Sequence, residues 1–318
     1  MTNPLARTVD VLLEATVAGS FSRLGYEARR RLEGWEDPPP DALAGRRILL
    51  TGATSGIGRA ATGQLLDLGA EVLVVGRDEA RTTKAVAELA LAHPDGSVSA
   101  HIADLGDLTA VRALADALLA VDEPFDAIVH NAGALLAEKT MTADGLETTL
   151  AVHVVAPHLL TERLTPLLRA PARVAWVTSG GMYSQGLDVD DLEMDADHNK
   201  GTAQYARAKR AQVELLGLWA ERLAPTAVAH AMHPGWADTP GVEKALPTFR
   251  KITGPALRSA DQGADTLVWL LWADEPGQTS GKLWLDRRPR STVHVPGTGT
   301  DDAQRERLWA WVEDAAAG

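Results

Sequence analysis

The sequence predicts an α/β fold built on a doubly wound parallel sheet of seven strands, and three observations lead there. From residue 46 onward, short apolar runs alternate with longer stretches of helical periodicity, the pattern of parallel strands joined by crossover helices. A glycine-rich segment, Thr51-Gly52-Ala53-Thr54-Ser55-Gly56-Ile57-Gly58, falls between the first such run and the first such helix. The chain has 318 residues, 45% hydrophobic and 23% charged, enough to bury a full core.

Taken in order, residues 1–37 stand apart from the rest. Leu5, Val9, Leu12, Leu13, Val17, Phe21 and Leu24 recur at helical spacing, followed by the basic Arg29-Arg30-Arg31 and by Pro38-Pro39-Pro40. This reads as an amphipathic helical extension with a stiff hinge. It is expected to pack on the body or on a second subunit, with peripheral membrane contact as the alternative. Strands are expected at 46–51, 71–75, 97–102, 125–130, 172–178, 226–232 and 281–285. Helices are expected near 56–68, 79–92, 107–120, 144–168, 201–223 and 259–273. The tail from 301 to 315, with Leu308, Trp309 and Trp311, reads as a terminal helix that buries its aromatics. The division that follows is an extension and hinge over 1–40, the α/β body over 41–290 and a tail over 291–318.

Lys and Arg number 31 against 43 for Asp and Glu, so the net charge is −12 and non-specific nucleic-acid binding is disfavoured. The absence of cysteine excludes disulfides, thiolate catalysis and thiolate metal sites. No stretch approaches the roughly 18 apolar residues of a membrane helix, and the N-terminus lacks a secretory signal pattern. A cytoplasmic location is the expectation.

The glycines carry the first chemical inference. Arg46-Arg47-Ile48-Leu49-Leu50 reads as a buried strand and Arg59 to Leu68 as a helix, so the glycines sit on a strand-to-helix corner. Gly52 suits a tight turn, Gly56 allows close approach of a pyrophosphate, and Gly58 permits close helix packing. Phosphates would meet the helix N-terminus, where unpaired N–H groups favour anions. Far downstream, Tyr205 and Lys209 stand four apart and share one helix face. A free tyrosine has a pKa near ~10, but an adjacent ammonium and an oxidised nicotinamide would lower it and make a usable acid or base.

The Thr-Gly-x-x-x-Gly-x-Gly spacing resembles the short-chain dehydrogenase/reductase family, and further matches follow in order from residue 46 to about 285. They are Asp104 with Leu105, Asn131-Ala132-Gly133, Ser179 after the fifth strand, Tyr205 and Lys209 on the next helix, Pro234-Gly235 after the sixth strand, and Thr239. Residues 233–242, 262–266 and 286–289 look like the subgroup around dehydrogenase/reductase SDR family member 12. The resemblance implies a Rossmann fold whose cofactor contacts come from Gly52, Thr54, Ser55, Gly56, Ile57, Gly58, Arg77, Asp104, Leu105, Asn131, Ala132, Gly133, Tyr205, Lys209, Pro234, Gly235 and Thr239. It implies that Tyr205 exchanges a proton with the substrate oxygen, that Lys209 also holds the nicotinamide ribose, and that Ser179 donates to the substrate oxygen. The interval from Ser179 to Tyr205 is long for the family and resembles its retinol-dehydrogenase-like branch. Ser184 is the alternative serine.

One position departs from the family. Where its members have an asparagine that holds a helix bend and a relay water, this chain has His153, which is expected to stay in the relay. At the end of the second strand, Arg77 points to NADP(H), with NAD(H) the alternative, and Asp78 reads as the next N-cap. The acidic run from Asp188 through Asp195, Ala196 and Asp197 to His198 lacks calcium-loop spacing and reads as a surface loop at the cleft rim, so no metal is expected. Met182, Tyr183, Trp236 and the stretch 240–255 would supply apolar walls for a lipophilic carbonyl or alcohol. The activity implied is an NADP(H)-dependent oxidoreductase with Ser179, Tyr205, Lys209 and His153 at its centre. The rivals are a catalytically weak or inactive dinucleotide sensor of the same fold, and a lyase or epimerase that uses NAD transiently. The family further implies a homo-oligomer formed through the long helices, with a monomer left open.

Overall fold

The computed structural model describes residues 4–194 and 200–318. Its strands are β1 (Arg47–Thr51), β2 (Glu71–Gly76), β3 (Ser97–Ile102), β4 (Phe125–His130), β5 (Leu168–Val177), β6 (Ala227–Met232), β7 (Lys282–Leu285) and β8 (Arg288–Arg290). They form one sheet in the order β3-β2-β1-β4-β5-β6-β7-β8, parallel except for the antiparallel β7–β8 pair. The order reverses at β1, which pairs with β2 on one side and β4 on the other. A crevice therefore opens beyond the carboxyl ends of β1 and β4.

The central strands are apolar on both faces because helices cover both. Ile48, Leu50, Val72 and Val74 face α4 (Gly56–Asp67), α5 (Glu79–Ala92) and α12 (Ala260–Trp272). Leu49 and Leu73 face α6 (Leu108–Val121), α8 (Ala156–Leu164), α9 (Gly201–Leu223) and α14 (Asp302–Ala317). On α14, the Trp309 ring lies 4.7 Å from His158 of α8 and 4.9 Å from Trp219 of α9, with the Arg222 guanidinium 3.8 Å above it. The remaining elements are α1 (Pro4–Glu14), α2 (Val17–Phe21) and α3 (Arg23–Glu33), the single turn α7 (Thr148–Leu150), α10 (Pro240–Ala245), α11 (Pro247–Thr253) and the short α13 (Asp274–Gly277).

Three expectations are corrected. The sheet has an eighth strand: Asp286 and Arg287 both adopt left-handed φ, +55° and +56°, and fold Arg288-Pro289-Arg290 back along β7. Three residues rich in charge carry no periodicity, and proline suits only an edge. The helix expected over 144–168 is interrupted by a π turn at Ala151–Val155 that contains His153. The third concerns the N-terminal extension, which packs on the body as three helices that split the apolar pattern: Phe21 is buried, while Leu5, Leu12, Val17 and Leu24 are exposed. Asp10 and Arg29 face inward, with Arg29 at 1% exposure, while Val11, Leu12 and Leu24 are 63%, 66% and 72% exposed. Asp10 accepts from Arg29 Nε at 2.7 Å and from Arg290, and this pairing turns the charged face of α1 toward the body.

Candidate active site

The crevice is a cleft of about 1020 Å³, and every site residue named from the sequence lines it. At the pyrophosphate corner Gly52 has φ +75°, and a Cβ there would lie 2.6 Å from Ala132 Cα, so only glycine fits. Asn131 brackets this corner: its Nδ2 donates to the carbonyls of Thr51 and Gly52 at 3.0 and 2.9 Å. The Ser55 side chain makes no capping bond to the first turn of α4, so those N–H groups remain available at the cleft. Thr239 caps α10, its Oγ1 accepting from Val242 N at 3.3 Å, and lies across from Gly56.

At the far end of β2, Arg77 lines the cleft beside Arg81. Among the described residues neither guanidinium has an ion-pair partner. Asp78 is occupied as the N-cap of α5, accepting from Arg81 N at 2.8 Å. Asp104 accepts from Gly106 N at 2.9 Å and leads into Leu105, which is largely buried in the cleft wall. The residues thus fit a dinucleotide that carries an additional phosphate: uncapped N–H groups stand at one corner and two free arginines at the other.

At the opposite end, α9 brings Tyr205 and Lys209 to the tip of β5, where Thr178 Oγ1 donates to Lys209 O at 3.1 Å and fixes the helix to the strand. Tyr205 and Ser179 both line the cleft here. Burial raises the Tyr205 pKa, and the Ser179 hydroxyl offsets only part of this. The lowered tyrosine expected from sequence is therefore not what the protein alone sets up. Lys209 explains why. Its Nζ donates to Val177 O at 2.8 Å, lies 5.6 Å from the centre of the Tyr205 ring, and has its own pKa pushed down to about 7 by burial. An ammonium this readily neutralised gives weak help to a phenolate.

His153 stands edge-on to Tyr205, ring centres 5.3 Å apart. Ala134 N donates to its Nε2 at 3.0 Å, Nδ1 has no partner among the described residues, and burial followed by the Lys209 charge holds its pKa well below the usual histidine value. Gly133 makes room for it, since a Cβ there would meet the ring at 2.6 Å. Gln212 was not singled out from sequence. It lies one turn beyond Lys209 on α9 and donates to His153 O at 2.6 Å, and the i, i+3 spacing was the signal that could have found it.

The apolar walls differ in part from expectation. Trp236 lines the cleft with Leu135, Leu136, Val242, Leu246 and Phe249, so the 240–255 stretch contributes as foreseen. Met182 and Tyr183 do not. They are buried beneath it, where Tyr183 donates to Ser291 O at 2.9 Å. The described part of the acidic run, 188–194, does not line the cleft and is tied down, with Asp191 paired to Arg207 and Glu193 accepting from Glu147 N. Asp195, Ala196, Asp197 and His198 lie outside the described residues.

Residues 46–187 match the family model described as short chain dehydrogenase. The chain is 36% identical to dehydrogenase/reductase SDR family member 12 of Homo sapiens, covering 93% of this chain and 94% of that one. It is 30% identical to retinol dehydrogenase 12 of Homo sapiens, over 84% and 85%. A short chain dehydrogenase from Burkholderia cenocepacia, solved in complex with NADP, shares the fold with a TM-score of 0.62 at 24% identity, covering 76% of this chain and 96% of that one.

Proposed function

Because the chain belongs to the short-chain dehydrogenase/reductase family, we propose that it is an oxidoreductase moving hydride between NADP(H) and the carbonyl or hydroxyl carbon of a lipophilic substrate. The observation that carries this reading is the meeting of Ser179, Tyr205 and Lys209 at one end of a cleft whose other end holds the glycine corner and Arg77. A nicotinamide bound there supplies or accepts the hydride. Ser179 donates to the substrate oxygen as charge develops on it. Tyr205, held protonated by burial, gives its proton to that oxygen in reduction. Lys209, its Nζ 5.6 Å from the centre of the phenol ring, would hold the nicotinamide ribose, and neutral His153 stands edge-on to that phenol ring. The apolar walls from Leu135 to Phe249 exclude water and favour substrates such as the retinoids implied by one relative's name.

Cofactor choice gives the first test. A ligand at about 100 times its Kd stabilises by roughly 2.7 kcal/mol, so saturating NADPH is expected to raise the thermal midpoint more than NADH does. Arg77→Ala removes a charge-assisted contact of roughly 1.5–3 kcal/mol and should weaken NADPH about 10- to 100-fold while sparing NADH. Equal losses for both would remove Arg77 from the phosphate site.

The outward face of the N-terminal module supports a peripheral membrane role. Val11, Leu12 and Leu24 are exposed, as are Arg7, Arg23 and Arg31, on a chain of net charge −12. A second copy would set arginine against arginine, whereas an anionic bilayer matches both features. Sedimentation with phosphatidylserine-containing vesicles, but not with phosphatidylcholine alone, is expected, and Leu12→Asp with Leu24→Asp should abolish it. Equal binding of that variant would exclude this face. Among the described residues no helix is long and apolar enough to cross a membrane.

A further inference from the structure

Three segments that resemble a subgroup of the family, 233–242, 262–266 and 286–289, include residues that the catalytic chemistry does not use. In the fold they all face residues 20–36. Trp236 N donates to Phe21 O at 2.8 Å, and the His233 ring meets the Phe21 ring edge-on at 4.3 Å. Gln262 Nε2 donates to Glu27 at 2.8 Å. Asp286 accepts from Arg29 at 2.6 Å and from Arg258 at 2.5 and 2.9 Å, and Arg287 donates to Glu36 O at 2.8 Å. Arg258 completes the socket by donating to the carbonyls of Phe21 and Ser20 at 3.0 and 2.9 Å.

At the tip of this assembly Phe21 is 6% exposed and lies between two loops of the cleft. On one side is Gly180, which directly follows Ser179. A Cβ there would come within 2.5 Å of Phe21 Cε2 and 3.1 Å of Cζ. On the other side is the Gly235-Trp236 loop, which lines the cleft and whose Trp236 ring packs edge-on to Phe21 at 6.2 Å and to Phe249 of α11 at 5.2 Å.

We propose that Phe21 is a positioning residue of the active centre, delivered by the N-terminal module as a wedge that sets the Ser179 turn and the Trp236 loop in register. The substrate oxygen needs the Ser179 donor on one side and an apolar wall on the other, and Phe21 packs against both loops. Phe21 itself does not line the cleft. It acts through Gly180 and Trp236, and the buried Arg29, Asp286 and Arg258 group anchors it. The proposal rests on the oxidoreductase reading, so its test includes a readout that needs no turnover.

Phe21→Ala should raise amide hydrogen exchange in residues 179–184 and 234–239 above wild type, with the β1–α4 corner unchanged. NADPH affinity should fall less than kcat, because Arg77 and the β1–α4 corner are untouched while Pro234, Gly235 and Thr239 lie in the loosened loop. With decanal and NADPH, kcat should fall about 10- to 100-fold, the effect of small misplacement in a reacting pair. Gly180→Ala should be impaired likewise, and Phe21→Leu, which removes Cε2 and Cζ, should restore much of the loss when combined with it. Unchanged exchange in both loops, exchange raised uniformly through the chain, or no recovery in the double variant would each overturn the wedge. If the wild type reduces no decanal while exchange changes as stated, the wedge stands and the oxidoreductase reading is what fails.

Discussion

Tyr205→Phe is expected to lower turnover by about 10²- to 10⁴-fold, the range that a positioned general acid supplies. The substitution removes one oxygen and keeps the ring, so the edge-on contact with His153 and the Lys209 position above the ring are retained. NADPH affinity and thermal midpoint should therefore remain close to wild type. That pattern, with chemistry lost and binding kept, separates an enzyme from a dinucleotide sensor, for which the phenol oxygen is dispensable. The raised pKa of Tyr205 gives the effect a direction. Burial keeps the phenol protonated at neutral pH, so the group is ready to donate, as reduction of a carbonyl requires. Measured by single-turnover reduction with NADPH, residual activity within tenfold of wild type would assign the proton to another group.

A second large effect is expected in stability against acid. Burial depresses the pKa of His130 and His233 to about 3, of His158 to about 4, and of His153 well below the ordinary value of 6.5. Each is neutral when folded and free to protonate when unfolded. The unfolded chain thus binds more protons below pH 6.5, and stability present above that pH is lost as pH falls toward the folded pKa values. The loss is about 1.4 kcal/mol per pH unit for each histidine. By pH 5.5 the four together remove on the order of 5 kcal/mol, comparable with the ~5–15 kcal/mol stability of a typical domain. The acid midpoint followed by circular dichroism is therefore expected between about pH 4 and 6, in the histidine range. His158 is the residue to change: both ring nitrogens lack partners among the described residues, and it packs against Trp219 and Trp309. His158→Phe should move the midpoint to lower pH. A midpoint below pH 4 that this substitution does not move would refute the linkage.

What could be read from the sequence follows the reach of each signal. Runs such as Ile48-Leu49-Leu50 and Val72 to Val75 announce strands because burial on both faces leaves no room for polar residues. The glycine corner and the Tyr205, Lys209 pair announce a cleft because backbone geometry and helical spacing are local constraints. Signals that depend on distant partners were silent. Nothing near Asp10 shows that it will be drawn inward by Arg29 and Arg290, so which face of α1 meets the body was not legible. The same blindness hid the neutral tendency of Lys209, which follows from its burial in the folded chain and not from anything in its own helix. It also hid Phe21, whose meaning comes from a methyl group that Gly180 lacks.

The C-terminal helix carries a consequence for how this sequence can change. Helix α14 lies against α8 and α9, with Trp309 set between His158 and Trp219. An isologous interface must be complementary to its own copy, so each substitution in it appears twice and is judged against itself. A cover supplied by a separate stretch of the same chain is free of that restriction. The face of α8 and α9 and the helix that hides it can drift as lock and key, one accommodating the other, without regard to symmetry.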